Sequence, residues 1–136
     1  MVVEEVMTRN PVTVDASASI RKVMTTLAEN DVRHLPVLDD GELVGIVSDR
    51  DLRQYSAPAM LGFEHPDEIR RMLDQPIANL MAGDVATVNP ETDIGEVVDL
   101  LVEQKVGAIP VVSPSNQDLV GIVSYVDVLR AARDLL

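Results

Sequence analysis

Apolar residues recur at Ile20, Val23, Met24, Leu27 and Ala28, and again at Ile94, Val97, Val98, Leu101 and Val102. This i, i+3, i+4, i+7, i+8 spacing predicts two helices, each with one buried face. Ser19 precedes the first as an N-cap, and Asp93 precedes the second with Glu96 three residues on, close to a capping box. After each helix comes a short apolar run of strand type, His34–Leu38 or Ala108–Val112. A polar turn follows, then a second run, Leu43–Ser48 or Leu119–Ser124. Two strands joined by Asp40-Gly41 read as a hairpin. Thr13-Val14 reads as a brief strand after the turn Asn10-Pro11, and further helices are expected to begin near Asp49 and near Tyr125. Pro36 and Pro110 each remove a ladder donor, so their strands are expected at a sheet edge or distorted there.

The pattern is written twice. Leu43–Asp51 and Leu119–Asp127 agree at seven of nine positions. At an offset of 74 residues Met7 falls on Met81, Thr13-Val14 on Thr87-Val88, and Pro36-Val37 on Pro110-Val111. The offset becomes 76 past Leu38, because Ser113–Asp118 is two residues longer than Asp39–Glu42, in a turn that tolerates insertion. The expected organisation is one repeat over 3–55, a linker over 56–76 and a second repeat over 77–133. Within the linker, Asp67–Leu73 reads as a short helix with Pro66 just before it. Each repeat is strand–helix–strand–strand–helix, an α+β class.

Composition narrows the chemistry. The chain of 136 residues is 46 % hydrophobic, with one Phe, two Tyr and no Trp, so its core is aliphatic. It has no cysteine, hence no disulfide or thiolate site, which fits a reducing cytoplasm. No apolar run reaches the roughly 20 residues of a membrane span, and the first residues lack a secretory pattern. A formal charge of −12 argues against nucleic acid, whose binding needs clustered cations. A single nucleotide needs only a few, and nine of the eleven basic residues are Arg. There is no phosphate loop, no constellation for nucleophilic catalysis, and only His34 and His65 as imidazoles, so neither an enzyme nor a metal site is expected.

Val32-Arg33-His34-Leu35-Pro36-Val37, an acidic turn, then Gly45–Leu52 resembles a cystathionine-β-synthase-type (CBS) domain; two copies resemble a tandem CBS pair, or Bateman module. The resemblance covers nearly all of the chain outside the linker. It implies two β-α-β-β-α repeats packed about a pseudo-twofold axis. It also implies clefts for adenosine-containing ligands such as AMP, ADP, ATP or S-adenosylmethionine, a homodimeric four-repeat disc, and a role as an energy or metabolite sensor for an effector protein.

The residues themselves agree. Ribose offers neighbouring hydroxyls that an ionised carboxylate can accept, and Asp51 and Asp127 stand where a helix begins, with Ser48 and Ser124 at the preceding strand ends. Each Asp taken singly also fits a plain helix-start residue. Arg33 and His34 are the candidate phosphate contacts, with Arg50 beside them; the second copy has Gly107, Ala108 and Val126 instead, so two unequal sites are expected. The resemblance places an adenine pocket at Asn10, Pro11, Val12, Thr13 and Val32, and at Val85, Ala86, Thr87, Val106 and Ala108, beside Asp84. Met7, Met24, Met72 and Met81 read as core filler, and Arg70-Arg71 as a solvated helix face. The rival readings are a ligand-free interaction scaffold and a dimer that binds divalent cations through its acidic surface.

Overall fold

Ser19 caps helix α1 (Ile20–Glu29): its hydroxyl accepts the Lys22 N–H at 3.0 Å. In this computed structural model, which describes residues 1–55, 65–81 and 84–136, the chain forms two compact units. Val12–Asp84 makes one, while Met1–Pro11 and Val85–Leu136 together make the other.

In the 12–84 unit, β2 (Val14–Asp15) runs parallel to β3 (His34–Asp39), which pairs antiparallel with β4 (Glu42–Ser48). Asp40 and Gly41 both take positive φ, 51° and 82°, giving the two-residue turn whose twist matches its strands. β3 is the central strand of its sheet, so Pro36 does not mark an edge. β2 pairs from Val37 onward, one residue past the ring, and the ladder shifts register between Val37 and Leu38. The core is aliphatic with Tyr55: Ile20, Val23, Leu35, Val37, Val47 and Ile77 are all within 2 % of fully buried. Helix α2 (Pro66–Leu73) begins on its proline, one residue before the expected Asp67, as a first-turn proline with no N–H to satisfy allows.

The second unit repeats this plan. Helix α3 (Ile94–Gln104) is followed by the antiparallel pair β5 (Ala108–Val112) and β6 (Leu119–Ser124), then by α4 (Tyr125–Arg133). A parallel bridge joins Val88 to Val111, the counterpart of Val14 with Val37, and the ladder again shifts just past the proline. The Asp93 cap accepts the Gly95 N–H at 2.9 Å; the reciprocal bond expected from Glu96 is not formed.

The leading segment of each repeat is built into the unit that holds the other repeat's strands. β1 (Thr8–Arg9) pairs with β6, and Val3 is fully buried among Val97, Ile109 and Val123. Its counterpart Ile77 is fully buried among Ile20, Leu35 and Val47. The backbone bonds match as well: Val3 N–H to the Thr92 carbonyl (2.9 Å) and Ile77 N–H to the Ala18 carbonyl (2.7 Å).

After Ser48 the first repeat departs from its expected helix. Asp51, Leu52, Arg53 and Tyr55 each donate to the carbonyl three residues back, ending in a 3-10 turn at Arg53–Tyr55. The irregular start of the linker, residues 56–64, lies outside the described residues.

Candidate functional site

Each Ser–x–x–Asp sequence folds into a reciprocal cap. In the 12–84 unit the Ser48 N–H donates to Asp51 Oδ2 (2.9 Å) and the Asp51 N–H donates back to Ser48 Oγ (3.2 Å). In the other unit the Ser124 N–H and hydroxyl both donate to Asp127 Oδ2 (2.9 and 3.1 Å), while the Asp127 N–H donates to Ser124 Oγ (3.2 Å). A strand ending in Ser thus hands the chain to a turn whose orphan N–H groups the two side chains satisfy. The carboxylates end up in different surroundings. Asp51 is exposed, whereas the Asp127 side chain is 9 % exposed and Arg130 Nη1 lies 3.5 Å from its Oδ1.

His34 pairs across the ladder with Ser48, which brings an imidazole to the strand end where Asp51 is capped. Burial lowers its pKa; Asp49 and Asp51 oppose that, and Arg33 adds to it. Arg33 is exposed, and its carbonyl accepts the Asp49 N–H at 2.9 Å. Arg33 and Asp49 border an open groove of about 370 Å³ floored by Met24, Leu27 and Val32, with Arg53 on its rim. Arg50 is exposed. The unit therefore brings His34, Ser48 and Asp51 to one strand end, while Arg33 lines the neighbouring groove with Asp49 and Arg53, which none of those three lines.

The equivalent strand end in the other unit has no such cation on β5. Ala108 pairs with Ser124 and is 2 % exposed, so its methyl is covered rather than at an open surface. The Gly107 carbonyl accepts the Tyr125 N–H at 3.0 Å. Of the residues assigned to an adenine pocket, Asn10 and Pro11 fall in this unit, and Val12 and Thr13 in the other. Val12 (39 %) and Val106 (39 %) are exposed, while Val32, Val85 and Ala86 are half-buried and Thr87 and Asp84 exposed. The methionines pack on the cores, Met24, Met72 and Met81 on one and Met7 on the other. Arg70 lies 3.6 Å from Asp67 on an exposed face of α2.

Sequence reasoning overlooked Arg130. Its signal was present: a cation three residues after an acid on a helix is a neighbour of that acid. Among the described residues no group of three His, Cys, Asp or Glu stands close enough to hold a metal, and no helix is long and apolar enough to cross a membrane.

Comparison with known proteins bears on this geometry. The CBS domain family model matches residues 3–58 and 77–134. Protein MJ1225 of Methanocaldococcus jannaschii is 30 % identical over 129 residues, covering 90 % of this chain, which spans only 46 % of that protein's length. The crystal structure of MJ1225 superposes with a TM-score of 0.83 at 27 % identity, over 100 % of this chain and 51 % of that one. That of CBSX2 in complex with AMP superposes with a TM-score of 0.78 at 30 % identity, over 98 % of this chain and 97 % of that one. The CBS domain pair of protein MJ0100, solved with 5′-methylthioadenosine and S-adenosyl-L-methionine, shares the fold at 22 % identity and a TM-score of 0.79, over 100 % of this chain and 98 % of that one. With two copies of the matched domain, β-α-β-β in plan and each ending in a Ser–Asp cap, the chain belongs to the CBS domain family.

Proposed function

We propose that this chain is a non-catalytic regulatory module that binds an adenosine-containing ligand and reports its level to an effector. One observation carries the reading. Asp51 is exposed and holds its place through Oδ2, and among the described residues nothing donates to its Oδ1, at the strand end where His34 pairs with Ser48. An exposed carboxylate accepts a vicinal diol, and the Arg33 guanidinium nearby suits a phosphate. The AMP complex of CBSX2, similar over nearly the whole chain, supports that ligand class. Among AMP, ADP, ATP and S-adenosylmethionine, Arg33 favours a phosphorylated ligand near Asp51.

A second copy of the chain is the expected partner. Val98 (38 %), Val102 (70 %), Val106 (39 %), Tyr125 (40 %), Val126 (40 %) and Leu129 (63 %) leave the α3 and α4 face apolar. In the first repeat Met24, Ala28 and Val32 match the α3-side residues, but Asp49, Arg50 and Arg53 stand where Tyr125, Val126 and Leu129 do, so that counterpart is charged on its second half. An apolar face is best satisfied by the same face of another copy across a twofold axis. The exposed acids Asp99 and Glu103 on α3, with Arg133 on α4, would let two antiparallel copies match charge at the rim.

Thermal shift against AMP, ADP, ATP, NADH and S-adenosylmethionine tests the ligand reading, because a ligand that binds only the folded state raises the melting temperature. Stabilisation by an adenosine ligand, lost in Asp51→Ala, is the expected result. No shift with any of them at millimolar concentration sinks it and favours the scaffold.

A further inference from the structure

We propose that Arg130 latches Asp127, so that the two Ser–x–x–Asp sites are unequal: Asp51 is open to a ligand's hydroxyls and Asp127 is already engaged. This rests on the adenosine-ligand reading and names the residue that ranks its two sites.

An ionised carboxylate offers about four lone-pair directions. Asp127 Oδ2 already takes two donors from Ser124, and Arg130 stands at its Oδ1. Asp51 Oδ2 takes one donor, and among the described residues none reaches its Oδ1. The difference is written in the sequence at one position. At the offset of 76, Arg130 falls on Gln54. The Gln54 side-chain N–H is directed at the Asp51 backbone carbonyl (3.4 Å), leaving the carboxylate alone. The charge arrangement is thereby inverted between the units. In one, the arginine, Arg33, lies just before β3 and away from the carboxylate's own bonds; in the other, Arg130 sits on the helix and faces the carboxylate.

A diol arriving at Asp127 has to displace the guanidinium. The Arg130 side chain is 72 % exposed and 3.5 Å away, so the latch is weak and its effect is a ranking rather than a block. The first equivalent of ligand goes to Asp51. Copying Gln54 of the 12–84 unit, Arg130→Gln, should raise the site at Asp127 toward the affinity of its sister.

Calorimetric titration of the full chain with adenosine, which has no charge of its own, tests this. Two binding events are expected, the tighter abolished by Asp51→Asn. Arg130→Gln should strengthen the weaker event about two- to five-fold, the range set by an exposed ion pair, while Arg130→Lys should not. Raising the salt should strengthen that event in the parent protein and leave it unchanged in Arg130→Gln, because salt screens the exposed pair. An unchanged weaker event in Arg130→Gln overturns the latch, as does a tighter event that depends on Asp127 instead of Asp51. If adenosine, AMP and ATP all fail to bind, the ligand reading fails by itself. The latch is then decided by the carbon-13 shift of the Asp127 carboxylate: movement with Arg130→Gln supports the pair, and no movement overturns it.

Discussion

The thioether of Met7 lies where a side chain on Gly121 would have to go. A Cβ there would stand 2.6 Å from the Met7 sulfur and 2.9 Å from the Thr8 carbonyl oxygen. At Gly45 the matching Cβ would overlap only the end of the Met81 side chain. A flexible thioether can swing aside; a backbone carbonyl in the β1–β6 ladder cannot. Gly121→Ala is therefore expected to cost about 1–3 kcal/mol and Gly45→Ala clearly less. Urea unfolding of both variants measures the difference, and equal losses would refute the backbone argument.

Val3 and Ile77 provide a second test, because each is buried in a core formed by the other repeat's helix and strands. Ile77→Ala should destabilise by about 2–5 kcal/mol. Its damage should appear in α1 and β3, while Val3→Ala should loosen α3, β5 and β6. Amide hydrogen exchange locates the loss. Faster exchange in β3 on mutating Val3, with β5 untouched, would contradict the burial described above.

The His34 imidazole is predicted to titrate below its ordinary 6.5, chiefly through burial. The sign follows from linkage. The unfolded chain takes up the proton first as pH falls, so His34 contributes stability that is fully present above about 6.5 and fades as pH drops toward the lower folded value. His34→Gln should flatten the stability profile in that window. Asp49→Asn should lower the His34 pKa further, since that carboxylate opposes the shift. Imidazole proton shifts followed by NMR report both.

The proposed self-association can be mapped in a chain without native cysteine. Leu129→Cys alone should form an intermolecular disulfide under mild oxidation if the α3 and α4 faces meet across a twofold. Leu129→Cys mixed with Arg53→Cys should give little cross-product. The reverse pattern would show that unlike faces meet. Val102→Glu should yield a monomer by light scattering.

Much of this architecture was legible from periodicity. The helix starts at Ser19 and Asp93, the Asp40-Gly41 hairpin and the duplication rest on local spacing, and all are present. Three features needed tertiary information. β3 is central despite Pro36 because β2 joins it only from Val37. The turn after Ser48 closes with three-residue bonds where its copy after Ser124 makes an α-helix, although both carry the same cap. The placement of Val3 and Ile77 was hidden, since each lies in a short segment too brief to carry a periodicity and its partners lie far along the chain. At the site, the Ser–Asp pairs announced themselves by spacing. Their inequality did not, because it depends on where one arginine's flexible side chain comes to rest.

The exchange of leading segments imposes an order on synthesis. Residues 12–84 are one continuous stretch, so that unit has all its parts once Asp84 has been made. The other is split: residues 1–11 emerge first, yet their partner strand β6 ends at Ser124. During translation residues 1–11 therefore find their place only after β6 has been made, and Val3 has no core to enter until then. A circular permutant that moves residues 1–11 behind Leu136 should remove that wait.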